Sequence, residues 1–173
     1  KKVKKIIFIS CSAIYKSSEN LLKEEDQNAY EINPKYFGGG WTKVYLEKQC
    51  QFYSNIADSQ YIVVRHSNMF GENDDFDDSR SHMVAANLKR VFLAESNDPI
   101  TVWGSGKTNR DLLYIDELSS FIKILLEETI QEKFNIFNLG AEKGITIKEV
   151  VQKIIDVSGK KLSIEFDKTK PDI

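Results

Sequence analysis

The sequence predicts an α/β fold built on a parallel sheet, and three observations carry that prediction. Short continuous apolar runs led by β-branched residues recur, as in Lys5-Ile6-Ile7-Phe8-Ile9-Ser10 and Tyr61-Ile62-Val63-Val64-Arg65, the pattern of strands buried on both faces. Stretches with helical apolar spacing separate such runs, the alternation expected of βαβ units. The composition (41% hydrophobic, 11% aromatic, 29% charged, with nine glycines and three prolines in 173 residues) excludes collagen, low-complexity disorder and disulfide scaffolds, and the length suits one ordinary domain. No apolar run reaches the ~18 residues of a membrane helix, and Lys1-Lys2-Val3-Lys4-Lys5 has no signal-peptide core behind it. With 24 basic and 26 acidic residues, the net charge of -2 gives no nucleic-acid footprint. Cys11 and Cys50 are too few for a scaffold and suit a reducing compartment. A soluble cytoplasmic domain with no membrane or nucleic-acid partner is expected.

Taken in order, Lys5 to Ser10 is the first strand. A long irregular stretch from Lys16 to Phe37 follows, rich in Ser, Asn, Glu and Asp; such a loop in a compact domain is functional or disordered. Gly38-Gly39-Gly40 precedes a helical pattern from Trp41 to about Ile56, with Val44, Cys50, Phe52 and Tyr53 at apolar positions, Cys50 as a small buried hydrophobe. Tyr61 to Arg65 is a second strand, opening into Asn68-Met69-Phe70-Gly71 and an acidic loop from Glu72 to Asp78. That loop lacks the regular oxygen spacing and terminal Glu of a calcium loop and reads as solvated. Ser81 to about Ala94 is an amphipathic helix with Val84, Leu88, Val91 and Phe92 at helical spacing. Ile100 to Trp103 is a strand, and Gly104-Ser105-Gly106-Lys107 reads as a hairpin turn, since the first glycine of a phosphate loop is missing. Leu112 to Ile115 is a strand, and Asp116 is placed as the N-cap of a helix to about Glu128. Phe134 to Leu139 is a strand ending at Gly140. Thr146 then caps a helix to about Val157, with Glu149 completing a capping box.

No metal site is expected: His66 and His82 are far apart, and no Cys-x-x-Cys or His-Glu-x-x-His spacing occurs. No Gly-x-Ser-x-Gly elbow supports a hydrolase. Several segments, taken in order, resemble the extended short-chain dehydrogenase/reductases. They are Phe8-Ile9-Ser10-Cys11-Ser12-Ala13-Ile14-Tyr15; Trp41-Thr42-Lys43 followed by Glu47-Lys48; and Val64-Arg65-His66-Ser67-Asn68-Met69-Phe70-Gly71. The run from Asn73 through Ser81-His82 and Val102-Trp103-Gly104-Ser105-Gly106 to Arg110-Asp111-Leu112-Leu113-Tyr114-Ile115-Asp116 is similar to the fucose-synthase branch. Members of that branch are epimerase/reductases acting on a GDP-linked keto-deoxymannose. Asn138-Leu139-Gly140, Thr146-Ile147-Lys148-Glu149 and Lys170-Pro171-Asp172 continue the resemblance over almost the whole chain.

The resemblance implies the later part of a doubly wound, Rossmann-type parallel sheet followed by a small substrate-binding part. Residues 1–72 would be the end of an NAD(P)-binding domain and 73–173 mainly a sugar-nucleotide domain, with the elements around 111–139 open to rejoining the sheet. The family's Gly-x-x-Gly-x-x-Gly turn is matched nowhere, so the chain is expected to be a fragment lacking the first dinucleotide-binding strands. It would bind NAD or NADP poorly on its own, although the intact protein would use one of them. The resemblance also implies a nucleotide-diphosphate sugar as ligand and a homodimer as assembly.

Site residues carry over position by position. The family's acid/base Tyr stands four residues before its Lys, which places phenol and ammonium on one helix face so that the cation lowers the phenol pKa. Lys43 matches that Lys, which also holds the nicotinamide ribose, but the Tyr position is Gly39. Tyr36 would stand two turns away, ~10 Å along a helix. The catalytic Ser falls on Cys11, with Ser12 one residue beside it; the epimerisation Cys falls on Ala13, and its acid partner matches His82. Ser10, Lys43, His66 and Asn68 match cofactor-side positions, and Asn68, Arg90, Trp103 and Arg110 match substrate-side ones. The bland readings remain open: a solvated charge for Lys43, a surface histidine for His82, ion pairs for Arg90 and Arg110, core for Trp103. The chain is expected to turn over nothing as it stands, and a non-catalytic sugar-nucleotide-binding or assembly module is the alternative.

Overall fold

The computed structural model describes residues 2–172. They form two compact units. One runs up to Met69 and resumes at Leu113–Glu142; the other comprises Phe70–Leu112 and the residues from Lys143 on.

In the first unit, β1 (Lys5–Cys11), β2 (Gln60–His66) and β6 (Phe134–Leu139) make a parallel three-stranded sheet in the order β1-β2-β6. The register sets Cys11 against His66 and His66 against Leu139, so all three strands end together. Successive side chains of a strand point to opposite faces, and the two faces differ. On one, Ile62 and Val64 join Ile7, Ile9, Leu118 and Leu125 in an apolar core, with α3 (Ile115–Glu127) supplying the last two. The other face carries Ser10 and Arg65 toward α1 (Phe37–Ile56). At the far end of α3, Lys5 Nζ donates to the carbonyls of Leu125 (2.7 Å) and Glu128 (2.5 Å), so a cation meets the negative end of the helix dipole.

The helix α1 differs from its sequence pattern, since it begins at Phe37 and takes in the whole glycine triplet. The cause lies just upstream. Asn33 accepts from Lys35 N–H, Pro34 opens a short 3-10 turn, and that turn runs directly into α1. Gly40 is required by packing: a Cβ there would lie 2.6 Å from Ile32 Cγ2 and 3.0 Å from the Ala13 carbonyl oxygen. Gly38 and Gly39 face open space. The apolar positions also divide differently. Val44 is buried and Cys50 half-buried, but Phe52 and Tyr53 are exposed, as are Phe37, Trp41, Tyr45 and Ile56. The stretch before α1 is a chain of short 3-10 turns, Glu24–Asp26, Ala29–Glu31 and Pro34–Tyr36.

In the second unit, β4 (Pro99–Trp103) pairs in parallel with β8 (Ser163–Asp167), and β5 (Asn109–Tyr114) pairs antiparallel with β7 (Gly144–Thr146). Gly104–Lys107 is therefore not a hairpin turn, because β4 and β5 belong to different sheets. Gly104 and Gly106 take left-handed φ values of 77° and 72°. The bend is tied down by Asp172 Oδ1, which accepts from Ser105 N (2.6 Å) and Ser105 Oγ (2.9 Å). A short strand, β3 (Asn68–Phe70), stands where the chain passes between the units.

Val91, Ile100, Val102, Ile147, Val151 and Ile155 form the second core, between α2 (Met83–Leu93) and α4 (Ile147–Ser158) and against β4. Leu88 and Phe92, read as inward, are exposed; the buried stripe of α2 is Val84, Ala85, Asn87 and Val91. Asn87 can sit inside because its amide donates to Met83 O at 2.8 Å. Thr146 and Glu149 form the expected capping box, with Gly159 closing α4 in the left-handed conformation. Asp116 does not cap α3. Strand β5 runs into the helix without a loop, Tyr114 takes the cap position, and Asp116 lies in the first turn, where its charge still favours the dipole.

A buried polar network joins the sheet to α1. Arg65 and Glu47 form an ion pair (Nη2 to Oε2, 2.7 Å) with side chains 4% and 5% exposed. Ser10 Oγ donates to Glu47 Oε1 at 2.5 Å, and Arg65 Nη1 donates to Tyr15 Oη at 2.7 Å. Tyr15 Oη in turn donates to Asn138 Oδ1 at 2.7 Å. Burial pushes the Tyr15 phenol above its ordinary pKa even though the neighbouring guanidinium opposes the shift.

Two predictions follow from this packing. Gly40→Ala forces Ile32 or the 13–14 backbone to move and is expected to destabilise by about 1–3 kcal/mol, whereas Gly39→Ala gains about 0.5–1 kcal/mol of helix propensity; urea unfolding of both variants checks the opposite signs. Arg65→Met, which strands a buried carboxylate, is expected to cost about 3–5 kcal/mol, and Arg65→Met with Glu47→Leu distinctly less. Equal losses in the single and double variants would contradict that account.

Candidate functional site

In open parallel sheets, ligands bind beyond the carboxyl ends of the strands. Here that edge gathers Cys11, His66 and Leu139 at neighbouring strand ends, with Ser12 opening a 3-10 turn just beyond β1. Cys11 is half-buried and Ser12 exposed. Ser10, expected beside a cofactor, is instead a core hydroxyl: it is fully buried and given to Glu47.

On α1, Gly39 and Lys43 share a face one turn apart, because the helix is continuous through both. The Gly39 position is exposed, and a Cβ built there meets nothing within 4 Å. Lys43 Nζ donates to Ile9 O at 2.6 Å and lies 5.1 Å from the centre of the Phe8 ring. An ammonium has three donors. One is taken by Ile9, which leaves two that fit a pair of ribose hydroxyls, so Lys43 is the residue here that could hold a nicotinamide nucleotide. Tyr36 sits just outside the helix at its cap position, seven residues before Lys43.

The His66 ring is half-buried, with Nδ1 2.6 Å from Ser67 O. A carbonyl only accepts, so Nδ1 carries the hydrogen and Nε2 keeps its lone pair. Burial holds the imidazole below its ordinary pKa; the Ser67 bond opposes this and the nearby Lys43 charge adds to it. Asn68 heads β3 and is exposed.

The second unit has a cavity of about 570 Å³ lined by Arg90, Trp103, Lys89, Leu93 and Thr101 among others. Arg90 comes from the last turn of α2, where Asn87 Oδ1 accepts from its Nη1 at 3.2 Å. The Trp103 ring is half-exposed, with Lys170 Nζ 5.5 Å from its centre. Lys89 donates to Asp78 Oδ1 at 2.9 Å and Phe76 O at 3.0 Å. Two of the residues expected at the substrate therefore meet in one cavity. Arg110 does not line it; it is half-buried on β5 opposite Ile145. His82 is the exposed cap residue of α2 and makes no side-chain cap bond.

Sequence reasoning left out Lys89, which only its place beside Arg90 could have flagged. It also left out the Glu47–Arg65–Tyr15–Asn138 network, whose signal was an Arg inside an apolar strand and a Glu one turn after Lys43. Among the described residues, no group of three or more His, Cys, Asp or Glu could hold a metal ion, and no helix is long and apolar enough to cross a membrane.

The depressed His66 pKa has a consequence for stability. Above about pH 6.5 the ring is neutral in both folded and unfolded chains and costs nothing; below it the unfolded chain takes up a proton that the folded site resists. Stability is therefore expected to fall as the pH drops through and below about 6.5, and His66→Gln should flatten that slope in urea titrations at each pH.

The family model described as NAD dependent epimerase/dehydratase family matches residues 1–140. GDP-L-fucose synthase of Escherichia coli (strain K12) is 29% identical over 180 residues, covering 98% of this chain and 56% of its own length. The GDP-L-fucose synthase of Sinorhizobium fredii is 30% identical over 173 residues, covering 98% and 54%. The chain thus spans about half the length of the curated relatives it matches. Among solved structures, a GDP-L-fucose synthetase from Naegleria fowleri bound to NADP superposes with a TM-score of 0.86 at 22% identity, covering 99% of this chain and 56% of that one. The first unit's sheet is accordingly the later part of a Rossmann-type sheet. The chain belongs to the NAD dependent epimerase/dehydratase family.

Proposed function

We propose that this chain supplies the sugar-nucleotide-holding part of an NAD(P)-dependent epimerase/reductase of the fucose-synthase kind, and that it lacks the proton-transfer group that turnover needs. The observation that supports it is the state of α1: Lys43 is in place on a continuous helix, and one turn before it Gly39 faces open space. A bound NAD or NADP supplies hydride transfer. Toward that nucleotide, Lys43 offers two ammonium donors for ribose hydroxyls. Toward the sugar nucleotide, Arg90 offers a planar guanidinium, whose fork suits a diphosphate, and Trp103 a flat apolar face. At Gly39 no group can give a proton to a ketone oxygen or take one from a hydroxyl, and Ala13 offers none for epimerisation. Residues 1–69 with 113–142 would serve the cofactor, and the second unit the substrate.

A non-catalytic module that keeps the pocket is the second reading, favoured by the same two positions, Gly39 and Ala13. A homodimer is part of the proposal; the exposed Phe37, Trp41, Tyr45, Phe52 and Ile56 along α1 support it, as apolar stripes of that size mark interaction faces. So is a cytoplasmic location.

Calorimetry with GDP-, UDP-, CDP- and dTDP-sugars is the first test. Binding that Arg90→Ala weakens about tenfold or more, the loss expected for a charge-assisted contact, is the predicted outcome; a folded chain that binds none of them overturns the proposal. Gly39→Tyr in the native, full-length protein should raise turnover by at least about a hundredfold, the usual scale for an acid/base group. Unchanged turnover with binding intact would favour the non-catalytic module.

A further inference from the structure

We propose that Asn138 is a structural anchor: from the end of β6 it buckles the long connection between β1 and α1 onto the sheet, and so fixes the ground beside Gly39. This inference rests on geometry alone and stands apart from whether the chain binds or turns over a sugar nucleotide.

Asn138 reaches that connection by three bonds. Its backbone N–H donates to Glu24 Oε1 at 2.6 Å, its Nδ2 donates to Leu22 O at 3.0 Å, and its Oδ1 accepts from Tyr15 Oη at 2.7 Å. Arg65 Nη1 adds a fourth, to Glu24 O at 2.9 Å. A side-chain amide suits the post because it donates to a carbonyl and accepts from a phenol at once. It does so without adding charge where Arg65 is already matched by Glu47. The far end of the connection is held differently. Ile32 is 8% exposed and packs with Ile14, Tyr15 and Val44, seated so closely on Gly40 that no Cβ fits between them. Between the two anchors the chain braces itself, with Asp26 Oδ2 accepting from Lys23 N–H at 2.7 Å and Asn28 Oδ1 from Tyr30 N–H at 3.0 Å.

Such a connection is costly to order, at about 1–2 kcal/mol per residue fixed, and its self-bracing turns cannot by themselves place it on the sheet. The polar anchor supplies the placement. Through Ile32 and Gly40 that placement reaches the first turns of α1, where Gly39 stands. Without the Asn138 side chain, Leu22 O and Tyr15 Oη lose their partner on β6, and the backbone N–H at 138 and Arg65, both still bonded to Glu24, are left to hold the connection.

Hydrogen exchange read by mass spectrometry on the whole chain tests this. In Asn138→Ala, amides from Leu22 to Ile32 and from Gly38 to Gly40 should exchange at least ten times faster than in the wild type, with β1 and β2 amides unchanged. Glu24→Gln, whose amide oxygen still accepts from the Asn138 N–H, should keep wild-type protection. Unchanged exchange in the connection, or uniform acceleration through β1, β2 and α1, overturns the proposal. If Asn138→Ala does not fold, Tyr15→Phe removes the bond to Oδ1 together with the bond from Arg65 Nη1, which keeps Glu24 O as an acceptor. It should accelerate the same segments alone; no local change in that variant overturns the proposal equally.

Discussion

The first unit depends on one ion pair that water does not reach. Glu47 and Arg65 meet on the face of the sheet turned toward α1, with Ser10 on one side of the carboxylate and Tyr15 and Glu24 O around the guanidinium. Burying two charges carries a large desolvation cost, which their mutual attraction offsets only when the remaining donors and acceptors are also matched. They are matched here. The pair holds the Arg65 guanidinium above even its usual pKa, burial opposing and Glu47 prevailing. The same pair fixes helix to strand in register. Lys43 takes the carbonyl of Ile9 while Glu47, one turn on, takes the hydroxyl of Ser10. Two adjacent residues of β1 are thus gripped by two adjacent turns of α1.

The two units solve their helix ends alike. Lys5 closes the carboxyl end of α3 in the first, and Lys160 closes that of α2 in the second, where its Nζ donates to Val91 O at 2.9 Å, Phe92 O at 2.6 Å and Ala94 O at 2.7 Å. In each case a lysine distant in sequence satisfies carbonyls that a helix leaves unpaired and sets a positive charge at the negative dipole end. Neither helix ends in a glycine cap: Ala94 and Glu128 follow them in extended conformation. A lysine far away in the sequence does the work that Gly159 does locally for α4.

Much of this fold was legible in the sequence, and the exceptions have physical reasons. Strand β6 is where its apolar run placed it, and Thr146 with Glu149 marked the start of α4 to the residue, because both signals are local. Strand β8 was readable in principle, since Ser163-Ile164-Glu165-Phe166-Asp167 alternates and Ile164 and Phe166 turn to the core; its partner β4 lies about sixty residues earlier, which pattern alone does not reveal. The same long-range pairing defeats the hairpin reading of Gly104–Lys107. Leu88 and Phe92 look like core because spacing gives a helix an apolar side without saying where that side stops. At the site, residue types on one helix were readable: Gly39 and Lys43 share a face as their spacing required. Side-chain assignments across elements were not. Ser10 goes to Glu47 rather than outward, and Arg90 and Trp103 share a cavity that Arg110 does not line.

The glycine triplet separates a position that packing constrains from two that it leaves free. Three adjacent glycines would ordinarily weaken a helix start by about 1 kcal/mol each, yet the structure needs only one of them. Gly40 is fixed by Ile32 and Ala13, whereas a Cβ at Gly38 or Gly39 would meet nothing within 4 Å. Position 39 is therefore under no packing constraint from the rest of this chain. Lys43 differs, because its ammonium is also a structural donor to β1. A side chain at position 39 would leave the packing untouched, whereas losing the lysine would release Ile9.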